Sequence, residues 1–182
     1  MSGDLDRDLA DARAAAAARQ RRQTRQSRRI LAEETTFVSV LAELSRRGVE
    51  VALETAIGSR HMCRIERLSD EVVVVSTLRG TDGAGTTIAL RHTAIAAVRP
   101  IGDDAELAIG EAQELPTITM TEVLTELADR DVAVMIRAGA TTWSGRVGAV
   151  GTDVVTLTGV AGQGVFYARL ESVSEIVFSA SL

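Results

Sequence analysis

Lysine and asparagine are both absent from this chain of 182 residues, so every basic side chain is an arginine and no Gly-Lys-Ser/Thr phosphate loop can be present. A GC-rich coding sequence that avoids A-rich codons accounts for both absences and says little about mechanism. Cysteine occurs once, at Cys63, which excludes an intramolecular disulfide framework and fits a reducing compartment. Histidine occurs twice. His61 and Cys63 stand two apart on an expected strand and so share a face, but apart from His92 nothing completes a set of metal ligands, and no metal is expected. Neither histidine has a recognisable nucleophile and orienting acid, and no cofactor motif is present, so the chain reads as non-enzymatic. No apolar run approaches the roughly 18 residues of a membrane span, and the start, with Asp4, Asp6 and Asp8, lacks the apolar core of a signal peptide. These absences predict a cytoplasmic protein without a membrane partner.

What is present is apolar and β-branched. Hydrophobic residues make up 46% of the chain but aromatics only 3%, so cores of Val, Leu, Ile and Ala are expected, with the Val-rich segments as strands. The net charge of −5 hides an asymmetry: residues 12–29 carry seven Arg and no acid, whereas residues 30–182 carry twelve Arg against twenty-one acids. Residues 4–34 contain no Pro or Gly, and residues 10–29 are mostly Ala, Arg and Gln, which predicts a long helix. Its apolar face is thin, with Leu5 and Leu9 followed only by alanines until Ile30 and Leu31.

The rest of the chain is a tandem repeat. GRVGAVGTDVVTL at 145–157 has a near-copy, CRIERLSDEVVVV, at 63–75. Val40, Leu41, Glu43 and Leu44 match Val123, Leu124, Glu126 and Leu127 at an offset of 83, Arg64 and Ile65 match Arg146 and Val147 at 82, and Ile95 and Val98 match Val173 and Ile176 at 78. The offset changes between strands, where loops absorb insertions.

Each copy reads as one helix and five strands. Thr36 is placed to cap a helix at 37–47, and Thr119 with Glu122 forms a capping box that opens a helix at 120–130. Period-two alternation and turn residues predict strands at 49–54, 61–68, 71–78, 87–91 and 94–99, and again at 132–137, 142–150, 154–160, 165–169 and 172–178. Residues between Pro100 and Pro116 hold five acids and no base and read as a solvated linker. Five antiparallel strands of this length avoid exposing two flat edges by bending into a small barrel, and Gly145, Gly148 and Gly151 permit the bend.

With its glycine, apolar and turn spacing at Gly145, Val147, Val150, Val154 and Leu157, matched by Ile65, Leu68, Val72 and Val75, the chain resembles the Sm-like (LSm) family of SH3-like small β-barrels. The resemblance spans roughly residues 36–98 and 119–178, while the Arg-rich, Lys-free style is similar to that of actinobacterial proteins. It implies a mainly β fold with helices: two tandem Sm-like five-stranded bent β-barrels, each preceded by a helix, plus the long N-terminal helix. The expected divisions are 1–34 (Arg-rich arm), 35–100 (first barrel), 101–117 (acidic linker) and 118–182 (second barrel). The resemblance also implies assembly through sheet edges into homo-oligomers. Family members read RNA bases with an Asp and an Asn flanking the third strand and an Ile-Arg-Gly between the last two. Here the first two positions hold Gly151 and Val155 (Ser69 and Val73 in the first copy), and only Arg91 and Arg169 remain of the third.

The nucleic-acid-binding candidates are therefore Arg19, Arg21, Arg22, Arg25, Arg28 and Arg29 of the arm, with Arg13 nearby, and Arg91 and Arg169 of the barrels. Arginines can neutralise phosphates and release counterions without sequence readout. No aromatic is interleaved with the arm's arginines to stack bases. The same segment can equally be a solvated helix face or dock on the acidic body of a neighbouring copy. The expected function is self-association with RNA or DNA binding, RNA favoured; the alternative is a protein-interaction module with a protein partner and no nucleic-acid role. Trp143 and Tyr167, the large amphipathic aromatics, either finish the core or mark an interface.

Overall fold

The computed structural model describes residue 20 and residues 35–78, 85–102, 114–159 and 164–179. The chain divides into two compact units, Met1–Thr36 and Phe37–Leu182. In the first, Gln20 is helical; the expected long helix and Arg13, Arg19, Arg21, Arg22, Arg25, Arg28 and Arg29 otherwise lie outside the described residues.

The second unit is mainly β. Helix α1 (Phe37–Arg47) precedes β1 (Glu50–Thr55), β2 (Arg60–Leu68), β3 (Val72–Thr77), β4 (Thr87–Arg91) and β5 (Ile95–Pro100). Helix α2 (Met120–Asp129) precedes β6 (Ala133–Ala138), β7 (Thr141–Val150), β8 (Val154–Gly159), β9 (Val165–Arg169) and β10 (Val173–Phe178). A 3-10 turn links the last two strands of each half, at His92–Ala94 and Leu170–Ser172. The capping box is formed: Thr119 Oγ1 accepts from Glu122 N–H while the Glu122 carboxylate accepts from Thr119 N–H.

The ten strands form one antiparallel sheet in the order β5-β1-β2-β3-β4-β10-β6-β7-β8-β9. Within each half the strands follow one pattern, fifth-first-second-third-fourth. The halves are joined where β4 pairs with β10, Thr87 opposite Phe178 through Leu90 opposite Glu175. Two five-stranded units packed together were expected from the repeat, and the strands of the two halves run on as a single sheet.

That continuity explains why β3 is an unbroken Val run. Val73 and Val75 enter the first apolar core, with Leu41, Leu44, Leu53 and Leu90. Val72 and Val74 on the opposite face enter the second core, with Ala89, Met120, Leu124 and Ile176. A strand covered on both faces has no need for alternation. Its counterpart β8 is fully buried at Val155 and Leu157 but only half-buried at Val154 and Thr156, because nothing covers its other face to the same extent.

The linker differs from expectation at its end. Leu115 packs against the first core, Asp70 N–H donates to Pro116 O, and Ser69 Oγ donates to Ile118 O at 2.9 Å. The link is thus tied down before α2 begins.

The long second strand of each half is bent by a register shift at the same place, between Ile65 and Arg67 in β2 and between Val147 and Ala149 in β7. The extra residue is Glu66 in one and Gly148 in the other, so the bulge, which needs no glycine, makes the bend. Gly145 has a different reason. A Cβ there would lie 2.3 Å from the carbonyl oxygen of Thr158 on the neighbouring strand, whereas at Gly148 the nearest atom would be 3.6 Å away. Gly145→Ala is therefore expected to destabilise the fold by about 2 kcal/mol through forced strand separation, and Gly148→Ala by under about 0.5 kcal/mol, as read by urea denaturation.

On α1, Glu43 accepts from Arg46 and Arg47 at 2.8 and 2.7 Å, and these hydrogen bonds, Arg46 first, pull its carboxyl down to about 2. The lowered value makes this stabilisation complete above about 4.5 and lost as pH falls toward about 2. Glu43→Gln should flatten that part of a stability-versus-pH curve measured by thermal unfolding.

Candidate assembly interface

A sheet edge exposes unpaired N–H and C=O groups, and the chain satisfies two of its four half-edges by pairing β4 with β10. Two sets of side chains reinforce that seam, both near the end where Leu90 lies opposite Glu175. There Arg91, the last residue of β4, reaches across: its Nε donates to Val173 O at 2.8 Å, one Nη to Leu170 O at 2.9 Å, and the other Nη to the carboxylate of Glu71. All three branches of the guanidinium are engaged, and only 21% of the side chain is exposed. The fork geometry that suits Arg to paired oxygen acceptors is used here to clamp backbone.

Beside it, at Glu175 opposite Leu90, lies a buried polar cluster drawn from both halves. Glu175 of β10 is 1% exposed and accepts from Arg137 of β6 at 3.0 Å. The same Arg137 nitrogen donates to Ser59 Oγ in the first half. His61 of β2 places Nε2 3.5 Å from Glu175 Oε1. That approach does not make a hydrogen bond, and His61 Nε2 is, among the described residues, the buried side-chain atom left without one. A carboxylate this deep is tolerated because a cation faces it directly.

The two remaining half-edges, β5 and β9, are the ends of the sheet. On β9, Val165 is 53% and Tyr167 73% exposed. Arg169 ends β9 as Arg91 ends β4, but it is largely exposed and bonded to Glu171 at 2.9 Å, which with Asp153 raises its affinity for the proton. Arg91 and Arg169 line one open pocket of about 590 Å³, with Thr93, Thr152, Asp153 and Glu171. The sequence-derived barrel candidates are thus brought together, but among acids that balance them. A phosphate entering this pocket would displace existing ion pairs or face carboxylates.

The positions at which Sm-like proteins read bases correspond here to residues without exposed chemistry in three of four cases. Val73 and Val155 are fully buried in the cores, and Ser69 Oγ is consumed by Val72 N–H and Ile118 O. Gly151 is exposed and turns the chain by donating its N–H to Val154 O. Cys63 is fully buried, and burial pushes its thiol up to about 12, so it packs as an apolar side chain. Among the described residues no three His, Cys, Asp or Glu side chains gather as a metal site. Trp143 packs against the second core while Tyr167 stands on the open edge, so the two aromatics divide between the roles open to them.

No protein-family model, curated protein or solved structure matches the chain. No described helix is long and apolar enough to cross a membrane.

Glu71, Arg137 and Glu175 carry much of the seam and were not singled out from the sequence, and His61 was weighed there only as a metal ligand. One signal was available: the repeat aligns Glu175 with Ala97 and Arg137 with Glu54, so charge is gained or reversed on one copy at positions otherwise conserved in type. Arg137→Ala, which strands the Glu175 carboxylate, is expected to cost about 3 kcal/mol, whereas Arg137→Met combined with Glu175→Leu should recover most of that loss in urea denaturation.

Proposed function

We propose that this is a non-enzymatic tandem Sm-like protein that self-associates and binds nucleic acid, RNA in the first place, mainly through its Arg-rich N-terminal segment. Each half is a bent five-stranded Sm-like barrel sharing one sheet with the other. The barrel reading is supported by the repeated helix-plus-five-strand order, the equivalent bulges in β2 and β7, and two apolar cores, the second of them shared with β3 and β4 of the first half.

The observation that carries the nucleic-acid reading is the placement of charge. Seven Arg without an acid fall in residues 12–29, whereas on the barrels Arg91 is spent on the seam and Arg169 is matched by Glu171. Cationic capacity lies in the arm, so phosphate contacts are assigned there and the barrels supply association. Joining several copies multiplies the arms and raises avidity without new contacts.

A second reading, a protein-interaction module without a nucleic-acid role, is favoured by one feature, the exposed Val165 and Tyr167 on β9. Fluorescence polarisation with a labelled single-stranded RNA separates the two. Affinity should fall about 100-fold between about 50 and 200 mM salt, as expected for several released counterions, and deletion of residues 1–30 should abolish it. Salt-insensitive binding, or binding that survives the deletion, rejects the arm as the site. Partner capture that resists nuclease favours the second reading.

A further inference from the structure

We propose that the cleft between the β1–β2 turn of the first half and the β6–β7 turn of the second binds a small organic carboxylate, held by the open edge of the Arg137 guanidinium. This site is separate from the Arg-rich arm and from the pocket that holds Arg91 and Arg169.

Arg137 uses one corner of its fork on the protein. Nη1 donates to Glu175 at 3.0 Å and to Ser59 Oγ. Glu175 belongs to the second half and Ser59 to the first, so the two bonds fix the plane of the group between them. Nη2 has no hydrogen bond to any described residue, and Nε reaches Thr142 Oγ1 at 3.5 Å, the outer limit of such a bond. The edge made by Nε–H and Nη2–H is therefore set in place with no strong acceptor among the described residues. Two parallel N–H groups of this kind engage both oxygens of a carboxylate. About a quarter of the Arg137 side chain, 24%, is exposed while Glu175 behind it is 2% exposed, so a ligand reaches the cation and not its buried partner.

Arg137 lines a cleft of about 480 Å³, within the range of small-molecule sites. Residues 57–59 form the wall from the first half, and Gly139, Ala140 and Thr142 that from the second. Gly139 and Ala140 are the two-residue turn between the paired Ala138 and Thr141, and Gly139 takes the positive φ, 58°, that such turns require. A Cβ at Gly58 or Gly139 would meet nothing within 4 Å, so both turns leave the cleft clear. Ile57 is 44% exposed and belongs to neither apolar core, which puts an aliphatic side chain on the wall.

These features select the ligand. No acid lines this cleft, whereas Asp153 and Glu171 line the one with Arg91 and Arg169. Glu175 already cancels part of the Arg137 charge, so a monoanion fits better than a dianion. A nucleic-acid backbone is held by several cations, and here one is present. Ile57 favours an aliphatic body beside the carboxylate, and the Thr142 hydroxyl can donate to the same oxygens. The repeat shows that the fold does not demand this cation: the counterpart of Arg137 is Glu54, which faces Arg60 at 3.7 Å on the surface. A ligand touching both turns would also bind the two halves to each other.

The test titrates hexanoate, a monocarboxylate with an aliphatic tail, against the full chain by saturation-transfer NMR. A dissociation constant of about 1 mM is expected for a ligand of this size. Arg137→Lys keeps a cation beside Glu175 but lacks the fork, and Ile57→Glu brings a like charge into the cleft. Each should weaken hexanoate at least about tenfold with circular dichroism unchanged. No saturable signal up to about 20 mM, or an affinity unmoved in either folded variant, overturns the site. Inorganic phosphate or a short single-stranded RNA should fail to displace hexanoate; displacement by either at equal concentration overturns the choice of a carboxylate. If Arg137→Lys unfolds the chain, Ile57→Glu, on an exposed turn, decides.

Discussion

Backbone hydrogen bonding at the edge of a sheet governs this structure. A five-stranded half of about 60 residues buries only about 60% of its unfolded surface and leaves two rows of unpaired amides and carbonyls. Pairing β4 with β10 removes one row from each half and lets α2 and the outer face of β3 close a shared core. The seam therefore does two tasks at once: it satisfies polar backbone and brings apolar faces together. Arg91 and the Glu175 cluster hold the Leu90–Glu175 end of this four-pair ladder in register.

Much of the local structure was legible in the sequence because it is set by local physics. The helix at Phe37–Arg47, the capping box at Thr119, and β4 and β9 fall where spacing and turn residues put them. The other strands match to within a residue or so. The seam was not legible. Periodicity records which face of a strand is covered but not which strand lies beside it, so the Val run at 72–75 was read as a strand without its two-sided burial. Glu175 illustrates the same gap. Between Ser174 and Ile176 it reads as a solvent-facing acid, and only the arrival of Arg137 from β6 makes its burial affordable.

The functional candidates divide along the same line. Arg91 was chosen as a remnant of an RNA-reading motif, and its geometry assigns it to holding Val173 and Leu170. An arginine at the end of a strand serves backbone as well as phosphate, and sequence cannot separate the two. The arm's arginines have no such competing partner implied by the repeat, which is why the charge argument rests on them.

The buried cluster of Glu175, Arg137 and His61 carries a consequence for biosynthesis. The first half emerges from the ribosome with β4 complete and β10 still unmade, so its edge is open while other copies offer β5. A foreign β5 would place Ala97 where His61 and Ser59 await a carboxylate and its arginine, whereas the chain's own β10 supplies both through Glu175 and Arg137. The polar cluster thus distinguishes β10 from β5 as the strand that fits beside β4.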